Sequence, residues 1–192
     1  HDPKATPALD PSEPTDQAYA QLLRAQLRTC AANLSGTIED VDSEFLHDLR
    51  VALRKIRSLL KDARGTFPAE ALAEAQAALR VVAHGTNQLR DLDVFLMARE
   101  RYAALLPDEL RPGVEPLYED LARRRQEAHG EAAALLESPA FGRALAETER
   151  LCGEAGRRAC EPIAEHARRT LAKRYRRVTK EAAKITRESS AE

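Results

Sequence analysis

From Ala20 onward the apolar residues recur at alternating intervals of three and four: Ala20, Leu23, Leu27, Cys30 and Leu34. That period keeps them on one side of a helix and predicts an α-helix over about 16–36, ending near Gly36. Leu46, Leu49, Leu53, Ile56, Leu60 and Ala63 repeat the pattern and predict a second helix over about 42–64, with Gly65 as its C-terminal stop. A third periodic stretch covers about 69–106, long enough to bend near Gly85, and halts before Pro107. Further helices are expected over about 114–136, 139–152 and 159–186. The last carries a stripe of Ala164, Ala167, Leu171, Tyr175, Val178, Ala182 and Ile185. No segment alternates with period two. Short connections between long helices favour antiparallel neighbours. The expected fold class is therefore all-α, an antiparallel helical bundle. Residues 1–15, with Pro3, Pro7, Pro11 and Pro14, read as a flexible lead-in; 16–187 form the domain and 188–192 a tail.

Composition refines this picture. Hydrophobic residues make up 43% of the 192-residue chain and aromatic residues only 4%, so the core must be built from aliphatic side chains. No stretch approaches the roughly 18 apolar residues that a membrane helix needs, so no membrane partner is expected. The chain opens on His1-Asp2-Pro3-Lys4, which is no signal peptide and lacks an initiator Met, as in a fragment of a longer protein. Cys30, Cys152 and Cys160 are odd in number and lack CxxC spacing, so neither a disulfide framework nor a zinc ribbon is expected, and a reducing cytoplasm suits them.

Charge is where the sequence becomes specific. Lys and Arg total 30 against 31 Asp and Glu, a formal net charge of -1, so any affinity for anions must come from segregation of charge. On the second helix His47, Arg50, Arg54, Arg57, Lys61 and Arg64 follow the apolar stripe one residue later. One residue is about 100° on a helix, so this basic rail flanks the core seam and runs for about 25 to 30 Å. The last helix has a second rail, including Arg169, Lys173, Arg176, Arg177 and Lys180, with few acids nearby. Acidic residues concentrate elsewhere, at 2–16, 39–44 and 108–120. Basic side chains beside a seam can simply cover it with their methylenes. Two poorly paired rails, richer in Arg than Lys, point instead to bidentate contact with phosphate oxygens.

The segment Glu44-Phe-Leu-His47-Asp-Leu-Arg50-Val-Ala-Leu-Arg54-Lys55-Ile-Arg57 resembles the signature helix of the CHAD family, the conserved histidine α-helical domains, which reads His-x-x-Arg-Val-x-x-Arg-(Arg/Lys)-x-Arg. Leu89-Arg90-Asp91-Leu92-Asp93-Val94 resembles the same family's Arg-Asp-x-Asp-Val segment. The resemblance implies two similar four-helix halves lined by basic residues, and an association with inorganic polyphosphate and polyphosphate granules. It implies that His47, Arg50, Arg54, Lys55 and Arg57 are ligands on the first rail, with Arg90 nearby and Asp91 and Asp93 as structural partners of cations. Two departures stand out. Asn87 occupies a place where the family has Gly, and the basic helix of the second half is not followed by that half's own His-x-x-Arg motif. The expected architecture is thus one four-helix half plus part of a second, completed either in a longer chain or by a second copy of this one.

Enzymatic chemistry is not expected. Glu44-x-x-His47 matches one element of a di-iron bundle, but a second such motif is missing, and Arg50 one turn away would repel a dication. No Gly-rich phosphate loop occurs, and no nucleophile, base and oxyanion donor come together. No cofactor and no metal are expected. The expected function is non-enzymatic binding of inorganic polyphosphate along the two rails, in the cytoplasm or on polyphosphate granules. Binding of a nucleic-acid backbone and scaffolding of protein partners are the alternatives. The first of these is disfavoured because Tyr175 is the lone aromatic residue of the second rail's helix and belongs to its apolar stripe.

Overall fold

The computed structural model describes residues 7–184 and is entirely helical apart from turns and one isolated bridge. Its helices are α1 (Thr15–Ile38), α2 (Ser43–Asp62), α3 (Ala69–Gly85), α4 (Asn87–Met97), α5 (Arg99–Ala103), a 3-10 turn (Asp108–Val114), α6 (Glu115–Glu137), α7 (Pro139–Cys152) and α8 (Ile163–Ala182). The expected boundaries hold to within a few residues, except that the stretch 69–106 is three helices.

The main core lies where α1, α2, α3 and α7 pack together. Leu23, Cys30, Leu49, Leu53, Ile56, Leu60, Leu79, Val82 and Leu151 are essentially inaccessible there. The 3–4 periodicity of α1 and α2 is the direct cause, since each helix presents one continuous apolar stripe to the other. The two are joined by a four-residue connection whose Asp42 caps α2 by accepting the Glu44 N–H at 2.8 Å. Gly36 is the point of closest approach. A Cβ there would run into the ring of Phe45, so only a glycine lets the start of α2 lie on the end of α1.

α1 also buries polar residues, and three of them bond to its own backbone. Thr29 Oγ1, Asn33 Nδ2 and Thr37 Oγ1 donate to the carbonyls of Ala25, Thr29 and Asn33, each one turn back. A smaller second core joins Leu46 of α2, Leu89 and Leu92 of α4, and Ala128 and Ala132 of α6.

An ion cluster, buried at Asp93 and open to solvent at Asp40, fastens that second core. Arg125 of α6 donates to Asp93 of α4 at 2.9 Å and also pairs with Asp40 in the α1–α2 connection. Asp93 is almost wholly buried, and Asp40 holds a left-handed backbone with φ 54. Asp93 is thus a structural partner of a cation, as expected from its motif, and that cation is on α6.

Two expectations are corrected. The lead-in is tied down in its second half: Ile163 N–H donates to the Glu13 carbonyl at 2.8 Å, and Thr15 N–H to the Glu161 carbonyl at 3.0 Å. An isolated antiparallel bridge between Pro14 and Pro162 results, which also delays the start of α8 to Ile163. Second, the apolar stripe of α8 is not core. Leu171, Tyr175 and Val178 are 65%, 72% and 63% exposed, because among the described residues no helix covers that side of α8. Ile185, residues 1–6 and the tail 188–192 lie outside the described residues.

Replacing Arg125 by Leu strands the Asp93 carboxylate in a nonpolar setting, and should cost about 3 kcal/mol of unfolding free energy in urea. The Arg125 guanidinium also holds the Asp40 carboxyl below its ordinary value. A lowered carboxyl adds stability above its unfolded pKa and loses it as pH falls through the folded one. The wild-type advantage over R125L should therefore be present at neutral pH and shrink below about pH 4. A variant as stable as wild type at pH 7 would contradict the assignment.

Candidate functional site: a basic groove

The apolar seam of α2 faces α1 and α3, and this dictates where its cations go. Arg54, Arg57, Lys61 and Arg64 emerge along the edge of α2, exposed, while His47 and Arg50 are half-buried. The break between α3 and α4 supplies the opposite wall. Gly85 lies against the Leu135 side chain of α6, with no room for a Cβ, and the chain turns at the fully buried Thr86 before starting α4. The turn brings Thr86, Asn87 and Arg90 over Arg50.

Arg50 is held by neutral acceptors. Its Nη1 donates to Thr86 Oγ1 at 2.8 Å and more weakly to the Ala83 carbonyl at 3.4 Å, and its Nη2 donates to Asn87 Oδ1 at 2.9 Å. The Asn that departs from the family pattern thus supplies a further acceptor that orients this guanidinium. Burial shifts Arg50 downward from the ordinary arginine value, and the neighbouring Arg90 and Arg54 charges add to the shift against the pull of Asp91. Arg90 has one guanidinium nitrogen, Nη1, buried without any hydrogen-bond partner. Buried polar atoms are rarely left so in the absence of something to fill the role.

These residues line a chain of connected cavities. His47, Arg50, Arg54, Arg57, Asn87 and Arg90 surround the first, of about 240 Å³. Arg54 and Arg57 are shared with the next, about 340 Å³, where Lys61, Arg64 and Arg80 of α3 join them. Lys61 and Arg64 are shared in turn with a third, about 410 Å³, lined by Arg169, Lys173, Arg174 and Arg177 of α8. The two rails expected from the sequence therefore form one groove, passing from α4 along α2 to the Arg169–Arg177 stretch of α8.

Pairing within the groove is uneven. Among the described residues Arg50, Arg54, Arg57, Lys61, Arg64, Arg80 and Arg90 have no carboxylate within salt-bridge distance. Surface arginines elsewhere commonly do: Arg24 with Glu149, Arg99 with Glu115, Arg150 with Glu74 and Glu147. At the α8 end Arg169 pairs with Glu161, and Arg174 with Asp62. These ties anchor α8 as much as they offer charge.

Of the residues singled out in the sequence, His47, Arg50, Arg54, Arg57, Lys61, Arg90, Arg169 and Lys173 line the groove, as does Arg177. Lys55, Arg176 and Lys180 lie outside these cavities. Arg176 folds back on its own helix, donating from Nε to the Ala172 carbonyl at 3.2 Å. Arg80 was missed because nothing in the periodicity of α3 marks it; only its position across from Lys61 gives it a role. Arg64 belonged to the first rail but was not named as a ligand.

The family model of the CHAD domain matches residues 21–192. The chain belongs to the CHAD family. Among solved structures it is similar to the crystal structure of the CHAD domain from the plant Ricinus communis, with a TM-score of 0.75 and 22% identity. The match covers 97% of this chain and 62% of that one, so the CHAD chain spans under two-thirds of the length of that relative. At this identity the likeness shows the fold alone. No curated protein matches the chain.

The remaining chemistry of this CHAD chain is quiet. Among the described residues no three His, Cys, Asp or Glu side chains cluster as metal ligands, and no helix is long and apolar enough to cross a membrane. Burial pushes the Cys30 thiol up to about 12 and, helped by the Glu149 charge, does the same to Cys152. Cys160 is raised as well, but it is partly exposed in the turn before α8. Thiolate is the reactive form. Iodoacetamide at pH 8 should thus modify Cys160 in the native protein, and Cys30 and Cys152 only after unfolding. Equal rates for all three, read by mass spectrometry, would contradict the packing described.

Proposed function

We propose that the chain binds inorganic polyphosphate along this groove without turning it over. One observation carries the reading: seven cations, Arg50, Arg54, Arg57, Lys61, Arg64, Arg80 and Arg90, converge along one track with no carboxylate to neutralise them. Arg50 and Arg90 are half-buried, and a cation without a charged partner in such a place is costly unless an anion completes it. A linear phosphate chain presents closely spaced oxygens and no bases, which suits a row of guanidinium groups with several N–H donors each. The family's association with polyphosphate supports the same ligand, and with it the proposal that the protein works in the cytoplasm and at polyphosphate granules. A second copy of the chain remains the proposed means of completing the surface beyond α8.

Roles divide along the groove. Arg50 is oriented in advance by Thr86 and Asn87, so it loses little freedom on binding. Arg54, Arg57, Lys61 and Arg64 are exposed and adapt to a chain of any length. The Arg169–Lys173–Arg177 face extends the track for longer polymers.

Binding of long-chain polyphosphate, followed by fluorescence anisotropy, should be steeply salt-dependent, by analogy with other polyanions. Reversing Arg50, Arg54 and Arg57 to Glu should weaken it at least about 100-fold, as three charge-assisted contacts are lost at over 1 kcal/mol each, with the helical circular dichroism unchanged. Unaltered affinity would remove the groove from consideration. Equal affinity for duplex DNA at matched charge and salt would make it a general polyanion site.

Thr86→Val keeps the volume and deletes one acceptor for Arg50. It should reduce affinity about fivefold, in line with one hydrogen bond of about 1 kcal/mol. An unchanged dissociation constant would show that Arg50 needs no such support.

A further inference from the structure

Arg90, Val94, Met97 and Arg101 succeed one another at intervals of four, three and four. That spacing keeps them on one face through the near-continuous run of α4 and α5. With Ala98 they line a shallow cavity of about 340 Å³. Val94 and Met97 are 47% and 63% exposed, large apolar groups left uncovered beside a highly charged site. Met97 is held in place from α2, its sulfur accepting the Ser43 Oγ–H at 3.5 Å. The Arg101 guanidinium lies over the Tyr102 ring, 5.1 Å from its centroid, so it already stacks on one flat group.

This patch is continuous with the groove, because Arg90 lines both the shallow cavity and the one formed by His47, Arg50, Arg54 and Arg57. Inorganic polyphosphate cannot use it. Its surface is charged oxygen, which gains nothing from a valine and a thioether. An alkyl chain fits poorly too, since the cavity is shallow and rimmed by two guanidinium groups. A flat π-system tethered to phosphates fits both parts. Its faces can meet the guanidinium planes and the Met97 sulfur, as bases and aromatic rings do in other sites.

We infer that the Arg90–Arg101 face is a nucleobase subsite, and that the chain takes nucleoside 5′-polyphosphates. The base would rest on Val94, Met97 and Ala98 near Arg101. The phosphates would run past Arg90 into the cavity of His47, Arg50, Arg54 and Arg57. This inference rests on the phosphate reading of the groove.

Isothermal titration of the full chain with ATP and with tripolyphosphate, without divalent cations and at one salt concentration, separates the two contributions. Both ligands carry three phosphates, and tripolyphosphate carries no less charge, so tighter binding of ATP reads the base. We expect ATP to bind at least about threefold more tightly. In a V94A/M97A double variant ATP should fall to the level of tripolyphosphate, whose own affinity stays unchanged; both side chains are exposed, and circular dichroism checks the fold. Tripolyphosphate binding with no preference for ATP, or equal weakening of both ligands in the double variant, overturns the subsite alone. No binding of either ligand overturns the groove reading and the subsite with it.

Discussion

The seam of α2 governs the molecule twice over. Leu49, Leu53, Ile56 and Leu60 must leave water, and they do so in the core shared with α1 and α3, while Leu46 does so against α4 and α6. Once those positions are fixed, helical geometry leaves no choice about their neighbours. Residues one place later are turned by about 100°, onto the edge of the packed surface rather than its back. There Arg50 is half-buried and Arg54, Arg57 and Lys61 are exposed, close enough to α3 and α8 to share cavities with them. The burial that stabilises the bundle is thus also what sets the line along which its cations gather.

The second constraint is the break at Gly85 and Thr86. An uninterrupted helix over 69–103 would carry Arg90 away from α2. Leu135 of α6 occupies the space a Cβ on residue 85 would need, and Thr86 turns inward, with its hydroxyl accepting from Arg50 and facing the carbonyls of the last α3 turn. The same residue thus ends one helix and orients a cation on another. Asn87 adds its side-chain oxygen to the arrangement. The Arg125–Asp93 pair then holds α4 at its distance by fixing it to α6.

Much of this could be read from the sequence because it is local. Helical period, the stop at Gly65, the bend near Gly85 and the offset between apolar and basic stripes all follow from spacing along one element. Long-range facts could not be read in the same way. Arg80 has no mark in α3 and acquires its place only by facing Lys61. The exposed run of α8 carries the same 3–4 pattern as a buried helix, and periodicity alone does not tell whether a neighbour is present. The lead-in looked unstructured because proline gives no helical signal, yet its carbonyls accept from the start of α8. The family motifs identified Arg50 and Arg90, while the hydrogen bonds that orient Arg50 lie at the α3–α4 turn.

The unpaired track also has a thermodynamic side. Seven like charges gathered along α2, α3 and α4 repel one another in the folded chain, and Arg80 and Arg90 move away from the other five when it unfolds. Surfaces held by ion pairs weaken as ionic strength rises, because screening dulls attraction. Here screening dulls repulsion, so the track responds to salt in the opposite sense to the ion pairs of Arg24, Arg99 and Arg150. Along this track the folded chain is therefore most strained in dilute solution, where its paired surfaces are at their strongest.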